Sequence, residues 1–468
     1  MAKSDSDKYE DKEVALLVER FEEMLRSGGS QYFDVEEFED IIDFYFVSDN
    51  LKRALRAVKM AIQLHPESIG FILREAQFYA YTDKIPKAIE VLRRAENMEP
   101  DNQQIFLIKG AIYSQTKKHE KSIEEYKKAL KNADDIEDIY LSISFEYENL
   151  GQWDTAIEYL KKILDSDPDH DAALYEISFC FENADKLAES VEYYNSLIDR
   201  NPYSQVAWYN LGIAYNMLEL FEKSVDAFDY AVAIDENFSP AYFNKGNSLI
   251  CLERYNEAIE AFETTLALEP GDAYSFYYLG ECHEKLKNYD LSLDYYQKAR
   301  KIDDSIADVW MGIGSVLDDQ GKPAEALPYM QKACSLDLKN SEFTYMLGDI
   351  QVKLNMLDEA IESYEKVSES DSKNDEIWLD YSDVYKKKNK PGIASEIIQK
   401  GINIQPENVS LLYRLANYLI LDRKEKEGYI TLELALQTDY NKHNEFLEYD
   451  PALSTNQQIM DLIELYKK

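Results

Sequence analysis

Basic residues are scarce in this sequence. Fifty-one Lys and Arg stand against 90 Asp and Glu in 468 residues, a formal charge of −39. Sequence-independent nucleic-acid binding depends on cations meeting phosphates, so a charge of this sign argues against it. It equally disfavours docking on an anionic membrane face. Glycine and proline are also few, 16 and 12, which favours long helices over a turn-rich β protein. No run of about 18 apolar residues occurs, so no transmembrane helix is expected. The opening MAKSDSDKYEDKE has no apolar stretch of the secretory kind, and the expected location is cytoplasmic. Four cysteines, Cys180, Cys251, Cys282 and Cys334, form neither a CxxC motif nor a disulfide framework.

What the sequence has is a period. Prolines at 66, 100, 168, 202, 270 and 406 are separated by multiples of 34 residues. Counting positions 1 to 34 from Val35 lays out twelve repeats that end at Lys442 without an insertion or deletion. Position 8 is small in every repeat but the first, which holds Ile42. Position 20 is Ala, Ser or Gly throughout, and position 24 is large and apolar or aromatic throughout, from Val58 to Leu432. Within a repeat, Trp208, Leu211, Gly212 and Tyr215 follow helical spacing, as do Val225, Phe228, Ala231 and Val232 after a polar break. Each repeat therefore predicts two helices. The small positions allow them to approach closely, and the bulky residue at 24 fills the adjoining space.

The pattern W-x2-L-G-x2-Y, then A-x3-F, then P resembles the tetratricopeptide repeat (TPR). Trp208, Leu211, Gly212, Tyr215, Phe228 and Ala231 stand at the family's places, as do Phe276, Leu279, Gly280, Tyr296 and Ala299. The resemblance implies an all-α fold: a right-handed superhelical α-solenoid of TPR helix–turn–helix repeats with capping helices at both ends. Residues 1–34 are expected to form an N-terminal tail and capping helix, 35–442 the twelve repeats, and 443–468 a C-terminal capping helix begun by Ser454. Glu75, Lys109 and Lys245 replace the family's usual Leu and are expected to loosen their repeats. Pro328 is placed in the first turn of a second helix, and Ser239-Pro240 reads as a helix-capping pair.

A search for catalytic or metal chemistry is nearly empty. The five histidines, His65, His119, His170, His283 and His443, are scattered. His65, His119 and His170 read as surface residues, and His283 as packed or groove-lining. Gly312-Ile313-Gly314 lacks the strand a phosphate loop needs. No nucleophile–base pair stands out, so no enzyme, cofactor or metal is expected.

The resemblance implies that first helices line a concave groove through positions 2, 5, 6, 9, 12 and 13. Those positions hold eighteen acidic and six basic residues over twelve repeats, about twice as acidic per residue as the chain. This fits either selection of a basic partner or a solvated acidic surface. Position 5 reads Tyr175, Tyr209, Phe243, Tyr277, Met311 and Tyr345, as suits a peptide grip and equally the family's ordinary sequence there. Asn210, Asn244 and Asn247 are candidates for pairing with a peptide backbone. Position 5 is never Lys or Arg, so the carboxylate clamp of TPR cochaperones is absent. The expected function is a non-catalytic scaffold that binds a protein or peptide, a basic one where the acidic groove selects it, through Tyr175, Glu182, Tyr209, Asn210, Phe243, Asn244, Asn247, Tyr277, Glu281, Glu284, Tyr345 and Asp349. The alternatives are a self-associating structural component or an accessory subunit that positions a substrate for a separate enzyme.

Overall fold

The computed structural model describes residues 12–28, 31–133 and 136–467. The expected N-terminal tail, residues 1–11, lies outside the described residues. Among those described there are 27 α-helices and no strand. They form two compact units, one ending at Ile234 and the other beginning at Asp235.

The helices keep the register closely. Every first helix begins at position 1 and ends at position 13, from Val35–Val47 to Val409–Leu421. Second helices begin at position 17 and run to position 30, as in Phe221–Ile234, except His119–Ala129, which tightens early into a 3-10 turn. Position 34 supplies the N-cap for the next first helix. Asp34, Asn102, Ser204, Asp272, Asn340, Asn374 and Asn408 accept backbone N–H bonds there, satisfying donors the first turn leaves open. His170, read as a surface residue, does the same through Nδ1.

Position 15 was not singled out from sequence. In all twelve repeats it adopts positive φ, between 53° and 75°, yet only Gly151 and Gly321 are glycine there. The other ten residues are Asp, Lys, Glu, Asn or Arg. A left-handed residue reverses the chain between the helices of each repeat, and a Cβ there costs roughly 1–2 kcal/mol.

The pairing of positions 8 and 24 holds each hairpin together. A Cβ added at Gly212, Gly246, Gly280, Gly314 or Gly348 would fall 2.5–2.7 Å from the side chain at position 24 of the same repeat. The two positions vary together in size. Every glycine at 8 faces Tyr, Phe or Met, whereas Ala76 and Ala416 face Leu92 and Leu432, and Ile42 faces Val58. Where position 20 is serine beneath a glycine, its hydroxyl donates to the glycine carbonyl: Ser122 to Gly110, Ser224 to Gly212 and Ser292 to Gly280, each at 2.8 Å.

Several local expectations need correction. Glu75 is buried and paired with Arg94 at 3.2 Å, and Lys109 is buried and paired with Glu96. Glu75 is therefore tied across its own hairpin, and Lys109 to the second helix of the preceding repeat. Pro328 is the sixth residue of its helix, past the first turn, and Pro323 begins that helix. Lacking an N–H, Pro328 removes one helical bond. Ser239 is the first helical residue and caps nothing.

The N-terminal cap is Lys12–Ser27, which buries Phe21 and Met24 against Phe33, Phe38 and Tyr45. At the C-terminus there are two helices, not one, and Asn456 rather than Ser454 caps the second. His443–Tyr449 starts at position 1 of the register and seats Phe446 beside Tyr413. Gln457–Leu465 buries Ile459 and Ile463. They are a shortened thirteenth repeat, and Pro451–Thr455 forms a 3-10 turn between them.

Two outcomes follow for stability. Gly212→Ala gains roughly 1 kcal/mol of helix propensity but overpacks Phe228 at about 1–3 kcal/mol. Urea unfolding should therefore show a net loss, and adding Phe228→Leu should recover it. If Gly212→Ala alone stabilises, the close-approach account is wrong. Glu219→Gly, at an exposed position with φ 58°, should raise stability by about 0.5–1 kcal/mol; a lowered melting temperature would contradict the strain assigned there.

Candidate functional site

The groove positions lie on the first helices, and in each unit they surround an open pocket. In the second unit this pocket measures about 230 Å³ and is lined by Tyr277, Glu281, Glu284, Asp308, Met311 and Glu342, among others. The helices Ala273–Lys285, Ala307–Asp319 and Ser341–Lys353 supply these side chains. Three expected site residues, Tyr277, Glu281 and Glu284, are thus brought together. Their chemistry differs. Glu284 accepts from the Tyr296 hydroxyl and from Ser315 Oγ, both at 2.7 Å, so it ties neighbouring helices together. Glu281 is half-buried and makes no hydrogen bond or ion pair to a described residue. Burial holds its carboxyl above the usual range; Lys285 offsets this in part, while Glu284 and Asp308 add to it.

The tyrosines are less free than the sequence suggests. Tyr277 is half-buried between Tyr278 and Tyr296, with ring centroids at 5.0 and 5.8 Å. Tyr345 donates to Asp380, and Asp349 accepts from Tyr364 at 2.5 Å. Asp349 and Asp380 are both held above the usual carboxylate range, first by burial. Farther on, Asp383 accepts from Arg414 at 2.6 Å, from Tyr418 at 2.5 Å and from Tyr449, whose ring also lies under the Lys386 and Arg414 cations. This end of the groove face is filled by its own C-terminal segment. Phe243 packs on Phe262 and Tyr278. Asn244 donates to the Pro240 carbonyl one turn back, and Asn247 has a buried Oδ1 without a partner.

In the first unit, Tyr209 packs on Phe228, and Asn210 is buried, its amide donating to the Leu174 carbonyl at 2.7 Å. That amide links adjacent first helices and is not open to a peptide. Tyr175 and Glu182 stand exposed. Neither lines the pocket of about 300 Å³ in this unit, which is formed by Leu141, Phe145, Glu146, Glu148, Ala172 and Glu176, with serines and Tyr126. Glu146 is 1% exposed. Its Oε2 pairs with His119 Nδ1 at 2.7 Å, and its Oε1 has no partner. His119, read as a surface residue, is therefore a structural partner. Burial pushes the Glu148 carboxyl up to about 7; nearby Glu176 adds to this, and the Cys180 thiol, donating at 3.4 Å, opposes it.

Glu146 escaped sequence reasoning because position 10 is not a groove position and nothing marks it as buried. Phe145 and Phe179, at position 9 of consecutive repeats, carried a visible signal: aromatics where polar residues are common in the other repeats. No disulfide joins any of the four cysteines, and His283 stacks on Tyr295 with centroids 5.4 Å apart. No group of three or more His, Cys, Asp or Glu suited to a metal ion occurs among the described residues. None of the described helices is long and apolar enough to cross a membrane.

Models of the tetratricopeptide repeat match residues 103–135, 146–205, 183–237, 243–306 and 311–375, together just over half of the chain. The chain belongs to the tetratricopeptide-repeat family. No curated protein matches it. Among solved structures, a chain of the APC/C hetero-tetramer Cut9–Hcn1 is 17% identical with TM-score 0.44, over 82% of this chain and 90% of its own. The MamA protein is 25% identical with TM-score 0.32, over 36% and 93%. A tetratricopeptide repeat protein from Parabacteroides merdae ATCC 43184 is 17% identical with TM-score 0.43, over 53% and 98%. Likenesses this loose say nothing of what the present chain binds.

Glu148 makes stability depend on pH. Its folded value lies above the ordinary 4.5, so the folded state favours the protonated form, and stability falls as pH rises from about 4.5 through 7. Glu148→Gln should raise the melting temperature at pH 8 by about 2 °C and leave it nearly unchanged at pH 5. An equal shift at both pH values would remove the titration account.

Proposed function

We propose that this protein is a non-catalytic interaction scaffold whose acidic, tyrosine-framed groove face binds a basic segment of a partner protein. Membership of the TPR family supports protein–protein interaction in general. The observation that carries the finer reading is the pocket of the second unit. There Glu281, Asp308 and Glu342 converge beside a single Lys285, and among the described residues none of the three makes an ion pair. Carboxylates that repel one another in a partly dry pocket are relieved by an incoming Lys or Arg, and the attraction is stronger there than on an open surface. The tyrosines contribute shape more than hydrogen bonds, since the hydroxyls of Tyr345, Tyr364 and Tyr296 are already committed. The same reading places the protein in the cytoplasm and gives it no nucleic-acid or membrane partner, in keeping with the charge of −39.

Capture from native lysate with the tagged chain, eluted in salt steps, tests this. A discrete basic partner should release between roughly 0.1 and 0.5 M salt. Glu281→Lys with Asp308→Lys should abolish its capture and leave helicity unchanged. Undiminished capture by that variant overturns the reading. Glu284 is left intact because it holds Tyr296 and Ser315.

A further inference from the structure

We infer that the pocket of the first unit is a separate site for one lysine side chain carried on an extended segment of a partner protein. The inference rests on the groove face being a partner surface, but it concerns residues that reading does not use. The deepest feature is Glu146: nine-tenths of it and more is buried, it lines the pocket, and its Oε1 lacks a donor. A buried acceptor left unpaired is costly, and native proteins keep few of them. Its other oxygen is fixed by His119, so the carboxylate is held in place before any ligand arrives.

Two more carboxylates, Glu148 and Glu176, lie close enough to repel each other, and neither has an ion-pair partner among the described residues. Three acceptors from three side chains suit an ammonium group, whose three donors rotate freely. They suit a guanidinium less well, because its rigid fork favours a single bidentate carboxylate. Leu141, Ala172 and the Phe145 ring supply apolar wall for a four-carbon stem. The volume of about 300 Å³ holds one long side chain and no folded element.

The segment, rather than a free amine, follows from the surroundings. Phe145, Tyr175 and Phe179 are 55%, 47% and 49% exposed on two consecutive first helices. A small polyamine would leave these rings bare, whereas residues flanking a lysine in a peptide would cover them.

The test uses the full chain and fluorescein-labelled octalysine as probe at about 0.05 M salt, where surface attraction is least screened. Four proteins are compared: the parent, Glu148→Gln with Glu176→Gln, Glu281→Gln with Asp308→Asn, and an outer-face control, Glu260→Gln with Glu263→Gln. The first pair should weaken binding about tenfold, the scale of a lost charged hydrogen bond, while the control pair changes it little. Octa-arginine should bind the parent more weakly than octalysine, and spermine should compete poorly. Circular dichroism confirms that each variant is folded.

If the Glu148/Glu176 pair behaves like the control, the lysine site does not exist. Octa-arginine binding as tightly as octalysine overturns the ammonium assignment, and spermine competing as well as octalysine overturns the peptide assignment. Loss confined to the Glu281/Asp308 pair would leave the groove reading standing and this inference refuted. Loss confined to Glu148/Glu176 would do the reverse.

Discussion

The close approach of two helices at positions 8 and 24 is the contact on which the rest of this structure depends. A glycine beneath an aromatic ring leaves no room for a Cβ. The contact recurs every 34 residues, and the first helix of every repeat spans the same positions, 1 to 13. Groove positions therefore recur at the same places on successive first helices, some open, as Tyr175, and some buried, as Asn210. Packing sets the surface, and the residues at positions 2, 5, 6, 9 and 12 are left to chemistry. Enlarging a glycine at position 8 would displace the helix that carries the groove carboxylates and disturb a site some residues away. Solenoid stability is close to a sum over repeats and their interfaces, and the damage would stay local.

A second constraint shapes what the surface offers. Acidic residues are plentiful, but the fold takes up several of them. Glu284, Asp349, Asp380 and Asp383 each accept a tyrosine hydroxyl, and Glu146 accepts from His119. A buried carboxylate costs free energy unless hydrogen-bonded, so these partners make the acidic face compatible with a packed core. Within the two pockets, the carboxylates that make no ion pair with a described residue are Glu281, Asp308 and Glu342 in the second unit and Glu148 and Glu176 in the first, beside one unpartnered oxygen of Glu146. The uneven spread of unpaired charge, more than the total of −39, gives the groove face places where a cation is favoured.

Much of the fold was readable from the spacing of residues. The register starting at Val35 coincides with the first residue of every first helix, because apolar periodicity and small positions both report the same helix pair. The left-handed turn at position 15 left no such trace, since Asp, Lys, Glu, Asn and Arg occupy it beside two glycines. The turn is imposed by the packing of the two helices it joins. The candidate site was readable in part. Glu281 and Tyr277 were found because groove positions are defined by the register. Asn210 was misread because its exposure depends on a neighbouring helix, and its amide meets a carbonyl 36 residues away in sequence. Glu146 and His119 were missed for the same reason: a pair 27 residues apart has no signature in either residue's own repeat.

The central claim is that partner contacts fall on the first-helix face at the two pockets. Hydrogen–deuterium exchange of the full chain, with and without octalysine, tests it directly. Protection is predicted in Glu137–Asn149 and Asp171–Asn183, and again in Ala273–Lys285 and Ala307–Asp319, with the second helices unchanged. Protection spread evenly along the chain, or concentrated on the second helices, would contradict the account.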